Sequence, residues 1–295
     1  MGFLSGFVAI IGPPNSGKST LLNRFVGQKV AITSPKPQTT RNRILGIYHG
    51  DGCQIVFVDT PGMHRTRSAL HRSMVSSARA SLQEVDIILL VVGLGEADHR
   101  DDVIDLVRVL KKTARPVLLA INKIDLIKKE NLLPLIESYD KLNCFEAIIP
   151  LCALHGDGVE ILREELKKRL SPGPQFFPPD MLTDRPETFL IAEIIREKIY
   201  HATRKELPYS SAVVVEEIEE EKERNLLKVK ANIYVEKASQ RGIILGKKGS
   251  LIKTIGKNAR LDLERMFSAK VYLELFVKVE KNWSQDARSL RKLGY

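Results

Sequence analysis

Eight residues near the start of the chain, GPPNSGKS from Gly12 to Ser19, run glycine, four residues, glycine, lysine, serine. That spacing suits a polyphosphate. Backbone N–H groups must curl around phosphate oxygens at the start of a helix, where a Cβ at Gly12 or Gly17 would intrude. Lys18 would neutralise the β and γ phosphates and Ser19 would ligate magnesium. Asn15, Ser16 and Thr20 complete the phosphate-binding set. A second motif, NKID from Asn122 to Asp125, follows the apolar run PVLLAI. Asp125 can accept hydrogen bonds from both the ring imino and the exocyclic amino group of guanine, a pair that adenine does not offer. Asn122 would tie this motif to the nucleotide and the first loop, and the stem of Lys123 would lie over the base.

Between them stands DTPG, Asp59 to Gly62, directly after QIVFV. Asp59 would hold magnesium through water, and the Gly62 N–H would meet the γ-phosphate. Upstream, PQTTRN offers Thr39 and Thr40; Thr40 is the choice for a loop that closes over magnesium only when the γ-phosphate is present. The expected magnesium set is therefore Ser19, Thr40 and Asp59, and the catalytic set Lys18, Thr40, Asp59 and Gly62. Met63 stands where many small GTPases carry the glutamine that orients the attacking water. A methionine cannot do that, so slow unaided turnover is expected.

A second glycine loop, GKKG from Gly246 to Gly249, lies in a stretch from Arg241 to Arg260 with six basic residues and no acidic one. Between two helices, such a loop lets the backbone approach a sugar-phosphate chain and clamp about four nucleotides. Gly246 and Gly249 give the close approach. Arg241, Lys247, Lys248, Lys253, Lys257 and Arg260 give charge. Ile244, beside the loop, is a candidate floor for unstacked bases as well as a candidate core residue.

The elements that must hold these loops fall into two groups. The first part of the chain alternates short apolar runs, FVAIIG, QIVFVDT, VDIILLVV, PVLLAIN and AIIPL, with longer amphipathic stretches, which predicts a mostly parallel sheet flanked by helices. SPGPQFFPPD, Ser171 to Asp180, carries four prolines and one glycine in ten residues and stops any regular element. The domains are accordingly set at 1–174 and 181–295, with 175–180 as linker. Beyond it the order is helix, strand, strand, helix, loop, helix, strand. Ile191, Ile194, Ile195 and Ile199 share one helical face, and Val271, Leu273, Leu275, Val277 and Val279 alternate along the last strand.

The 295 residues suit two domains. Net charge of +10 and a pI near 9.4 favour an anionic partner, nucleic acid or a membrane surface. Three cysteines, Cys53, Cys144 and Cys152, lack metal-ligand spacing, so no zinc is assigned and a reducing compartment is expected. The longest apolar stretch, VDIILLVVGLG, is far short of a membrane span.

Together, GPPNSGKSTLLN, ITSPKPQTTRNRILGI, VDTPG, INKID, AEIIREKIY with ELPYS, ILGKKGSLIKTIGKNAR and the ending LELFVKVEKNW to LRKLGY make the chain resemble the Era family of bacterial GTPases over nearly its whole length. The resemblance implies an α/β P-loop GTPase domain of Ras-like type followed by a smaller α+β domain of the type II KH kind. It implies GTP and GDP as ligands with Mg2+, and binding of the single-stranded 3′ end of 16S RNA in the small ribosomal subunit during 30S maturation. It also implies a cytoplasmic location with peripheral contact to the inner face of the plasma membrane. A monomer is expected. The family's guanine-facing serine–alanine pair is Cys152 and Ala153 here. Asn15 matches the asparagine that, in relatives lacking the glutamine, helps hold K+. Two other readings of the same residues are an RNA-binding adaptor that senses GTP and GDP without significant turnover, and a GTPase of the membrane surface.

Overall fold

The computed structural model describes residues 2–34, 41, 43–59, 85–94, 100–203 and 207–294. Thr39, Thr40, Gly62 and Met63, named above, lie outside the described residues. The chain divides into two compact units between Asp184 and Arg185.

In the first unit, β1 (Leu4–Ile11), β3 (Cys53–Asp59), β4 (Ile87–Gly93), β5 (Val117–Asn122) and β6 (Ala147–Leu151) form a parallel sheet, and β2 (Ile44–Gly50) joins β3 antiparallel at the edge. The strand order is β2-β3-β1-β4-β5-β6, with the two-residue β7 (Ser171–Pro172) paired to the start of β1. Helices α1 (Lys18–Val26), α2 (Arg100–Leu110), α3 (Leu132–Asp140) and α4 (Val159–Lys167) alternate with them. β4 and β5 are apolar along almost their whole length because both faces are covered: Ile87 to Val91 and Leu118 to Ile121 are fully buried. Each Val, Leu or Ile side chain among them contributes about 1.5–3 kcal/mol relative to exposure. β1 has β3 on one side and β4 on the other, so the loop after it opens over the crevice where strand order reverses, the usual ligand position in an open α/β sheet.

Strand β2 has no counterpart among the runs expected from the sequence. Its pattern is diluted by Gly46, which is there because α1 crosses at that point: a Cβ on Gly46 would collide with the Leu22 side chain. A second difference concerns 175–180, expected as a linker. The buried Gln54 holds it down, accepting from the N–H groups of Phe176 at 2.8 Å and Phe177 at 3.1 Å and donating to the Phe177 carbonyl at 2.8 Å. Phe177 and Met181 pack on the core of the first unit, which therefore runs on to Asp184.

The second unit runs α5 (Glu187–Ala202), β8 (Ser211–Glu221), β9 (Leu226–Val235), α6 (Ala238–Leu245), α7 (Ser250–Phe267), β10 (Lys270–Val279) and α8 (Ala287–Lys292). β9 is central, antiparallel to β8 and parallel to β10. Ile191, Ile194, Ile195 and Ile199 of α5 meet Ile255, Ala259 and Leu263 of α7 over Val229, Ala231 and Ile233 of β9. Val279, expected inward, is 37% exposed at the strand's end. The short helix α8 lay outside the expectation. It closes over Trp283, which is fully buried and donates its indole N–H to the Ser210 carbonyl at 3.1 Å. No helix among the described residues is long and apolar enough to cross a membrane.

Candidate nucleotide and nucleic-acid sites

The first glycine loop leaves β1 and enters α1 with three residues at positive φ: Gly12 at +149°, Asn15 at +60° and Gly17 at +93°. A Cβ on Gly12 would strike the Val91 carbonyl, and one on Gly17 would strike the Asn122 side-chain amide. Both glycines are therefore required by close approach as well as by conformation. Thr20 is half-buried in the first turn of α1. The Ser16 hydroxyl is buried with no hydrogen-bond partner among the described residues.

Lys18 is buried, and its ammonium donates to the carbonyls of Gly12 at 3.0 Å and Pro13 at 2.7 Å. Burial pushes its pKa from 10.5 down to about 8, against the opposing pull of Asp59. The folded pKa lies below the unfolded one, so the unfolded chain holds more protons between those values, and stability must rise with pH across that window. Below it the whole cost of the buried ammonium is present, on the order of 3 kcal/mol. The nucleotide-free protein is expected to gain stability between about pH 8 and 10.5 in urea unfolding, and Lys18→Met to lack that rise. Equal pH slopes in the two proteins would contradict the assignment.

Asp59 ends β3 with no exposed surface, and its Oδ2 accepts from the Ser19 hydroxyl at 3.1 Å. A buried carboxylate beside a hydroxyl at a phosphate-binding loop is a hard oxygen set that fits Mg2+. Thr40, the third expected ligand, lies outside the described residues.

Asn122, almost fully buried at the end of β5, joins three loops. Its Nδ2 donates to the Ser16 carbonyl at 2.8 Å, while its Oδ1 accepts from Lys123 N–H at 2.8 Å and Ala153 N–H at 2.9 Å. The Ala153 N–H thus helps hold the loops together, because a buried amide has to be satisfied at both ends. Lys123 sits at φ +67°, which turns the chain so that Asp125 projects into solvent on a single 3-10 turn. The Asp125 carboxylate accepts from the Cys152 thiol at 2.9 Å, and this hydrogen bond holds its pKa below the usual carboxylate range. Burial, together with the same carboxylate, raises the Cys152 thiol.

Sequence reasoning missed Arg24. From α1 its Nε donates to the Ala153 carbonyl at 3.1 Å and its Nη2 to the Leu154 carbonyl, fastening the loop after β6 to the helix that starts in the first glycine loop. No motif marks it, since its partners are backbone atoms 129 and 130 residues away.

In the second unit the GKKG turn joins α6 to α7. Gly246 has φ +70°, Lys248 +51° and Gly249 +75°. A Cβ on Gly246 would lie 2.8 Å from Leu251, whereas nothing lies within 4 Å of one on Gly249. Lys247 and Lys248 are exposed, and no ion pair among the described residues involves them, Arg241, Lys253 or Lys257; Arg260 stands 3.8 Å from Glu264. Ile244 needs correction: it is fully buried in the core of this unit and supports the turn from within, since α6 packs that face on the helices and sheet behind it.

Lys253, Lys257 and Arg260 line one wall of an open cleft of about 410 Å³ between α7 and β10, with Ile252 and Gly256 beside them. The other wall is β10, where Tyr272 is 54% exposed. Tyr272 was missed because strand alternation marks it only as an outward position. Its ring beside a basic wall suits a stacked base. Tyr272→Ala is expected to weaken single-stranded RNA binding by about 1–3 kcal/mol while leaving the salt slope unchanged, as read by fluorescence anisotropy at several salt concentrations. Unchanged affinity across the salt series would place the ring outside the contact.

Residues 7–123 match the model of a family described as 50S ribosome-binding GTPase, and residues 206–284 match that of the KH domain. The chain is 53% identical to GTPase Era of Syntrophus aciditrophicus strain SB over 293 residues, covering 99% of this chain and 95% of that protein. It is 50% identical to GTPase Era of Geobacter metallireducens, covering 99% and 98%. Among solved structures, a variant of Era from Aquifex aeolicus bound to GDP and AlF4- aligns with a TM-score of 0.92 at 43% identity, 99% of each chain covered. Era in complex with MgGDPNP and nucleotides 1506–1542 of 16S ribosomal RNA aligns at 0.91 and 41%, again over 99% of each.

Proposed function

This chain belongs to the Era family of GTPases, and on that premise we propose that it is a GTP-hydrolysing switch that binds the 3′ end of the small-subunit ribosomal RNA during assembly and maturation of the 30S subunit. The observation that carries the reading is Asn122. One buried amide locks the phosphate loop to the base loop, with Lys18, Ser19 and Asp59 on one side and Asp125 on the other. The same chain carries a basic cleft headed by GKKG.

In this reading Lys18 exchanges the carbonyls of Gly12 and Pro13 for oxygens of the β and γ phosphates, which recovers the cost of its burial. The N–H groups from Asn15 to Thr20 cradle the phosphates at the start of α1. Ser19, Asp59 and Thr40 would hold Mg2+, which would supply positive charge beside the phosphate oxygens. Thr39 and Thr40, and the Gly62 N–H, would be the groups that respond to the γ-phosphate. Asp125 reads the guanine edge while Lys123 covers its face, and Cys152 and Ala153 shape the loop behind it. Met63 leaves the attacking water unoriented, so intrinsic turnover is slow, and Asn15 is the candidate ligand for an activating K+. Arg241, Gly246, Lys247, Lys248, Gly249, Lys253, Lys257 and Arg260 take the RNA backbone.

The reading places the protein in the cytoplasm, with peripheral contact of its basic surface with the inner face of the plasma membrane as its lesser part; flotation with anionic liposomes tests that part. The main test is single-turnover GTP hydrolysis with and without an RNA carrying the 3′ end of 16S RNA, in potassium and in sodium. Slow hydrolysis raised by RNA is expected. Negligible turnover that RNA does not change would make the chain a passive sensor, and equal rates in the two salts would remove Asn15 from a potassium site.

A further inference from the structure

Spacing along the chain gave no metal ligands, yet the fold gathers three of different chemistry. Asp125 comes from the turn after β5, and Cys152 and His155 come from the loop after β6. A carboxylate oxygen, a sulfur and an imidazole nitrogen of these residues all lie within 4.8 Å of one another. The thiol already points at the carboxylate, 2.9 Å away, and Asp125 and His155 are both exposed at the loop tips.

Four-coordinate zinc with one sulfur, one nitrogen and one oxygen ligand spans ligand-to-ligand edges of about 3.3–3.6 Å, given bond lengths of about 2.0–2.3 Å. Small shifts of the two exposed side chains, lengthening the 2.9 Å sulfur–oxygen pair and closing separations that are nowhere above 4.8 Å, reach that geometry and leave the fourth position to water. Thiolate with imidazole and carboxylate selects a borderline-soft cation and disfavours magnesium.

We propose that Asp125, Cys152 and His155 form a zinc site at the mouth of the base pocket, so that zinc and a guanine nucleotide exclude one another. On coordination the Cys152 thiol gives its proton to solvent, and no oxidation or reduction takes place. Exclusion follows because the carboxylate that binds the cation is the one that reads the base; this half rests on the proposed role of Asp125.

The test uses the full nucleotide-free chain. Cobalt is titrated first, then zinc. One equivalent of cobalt is expected to give a thiolate-to-cobalt charge-transfer band that zinc displaces. Cys152→Ser should abolish the band, and His155→Ala should weaken binding by more than the about 10- to 100-fold that loss of an outer partner costs. With excess magnesium present, saturating zinc should weaken GDP binding at least about tenfold in the unaltered chain and leave it unchanged in His155→Ala. No band, a band that survives in Cys152→Ser, unweakened cobalt binding in His155→Ala, or equal zinc sensitivity in His155→Ala would overturn the site. If GDP does not bind even without zinc, the role of Asp125 falls, and the cobalt spectrum still decides the metal site.

Discussion

Asp125→Asn is expected to lower GTP affinity by about 10²- to 10⁴-fold and to transfer preference to xanthosine triphosphate. The carboxylate would accept two hydrogen bonds from guanine, each worth about 1.5–3 kcal/mol when the acceptor is charged. Every 1.4 kcal/mol is about tenfold in affinity. Asparagine retains one acceptor but presents an NH2 where the second was, and that group faces the guanine amino unfavourably and the C2 carbonyl of xanthine favourably. The fold should tolerate the change, because Asp125 is exposed on its turn and the Asn Oδ1 still accepts from the Cys152 thiol. Equilibrium binding of the two triphosphates checks this. Retained guanine preference would remove Asp125 as the base reader, leaving the phosphate loop without a partner that distinguishes purines.

The second large effect concerns the other glycine loop. Lys247→Asp with Lys248→Asp is expected to weaken RNA binding by about 10²-fold at physiological salt. The dependence of log K on log salt should flatten by at least about 1.4, since each single-strand phosphate that a lysine neutralises adds roughly 0.7 to that slope. Both glycines remain, and aspartate adopts the left-handed conformation of position 248 at least as readily as lysine, so the turn should keep its shape. GTP binding should be unchanged, since neither lysine belongs to the nucleotide site. An unaltered salt slope would take the turn off the RNA backbone.

The parts of the site that lie within one short stretch were legible in the sequence. The phosphate loop and NKID each carry their chemistry in eight residues or fewer, and their place after apolar strands fixes them at one edge of a parallel sheet. The faces of α5 and α7 were equally legible, because helical periodicity needs no knowledge of the partner. What stayed hidden depends on contacts between distant segments. Arg24 binds carbonyls far along the chain, and Gln54 fastens a proline-rich stretch that its composition marks as free linker. Ile244 reads equally well as groove floor and as core until the packing of α6 places it inside. Tyr272 becomes a candidate for stacking only when α7 forms the opposite wall. Asp125, Cys152 and His155 belong to two loops that only the sheet order brings together.

In the proposed function, a guanine-reading phosphate switch and an RNA clamp act together on one ribosomal target. Crosslinking of the GTP-bound protein to RNA in cells, followed by sequencing of the bound fragments, tests it most directly. Fragments should concentrate at the 3′ end of the small-subunit ribosomal RNA and disappear when Lys247 and Lys248 are replaced by aspartate. Fragments spread over unrelated RNAs, or a 3′-end signal that survives that replacement, would contradict it.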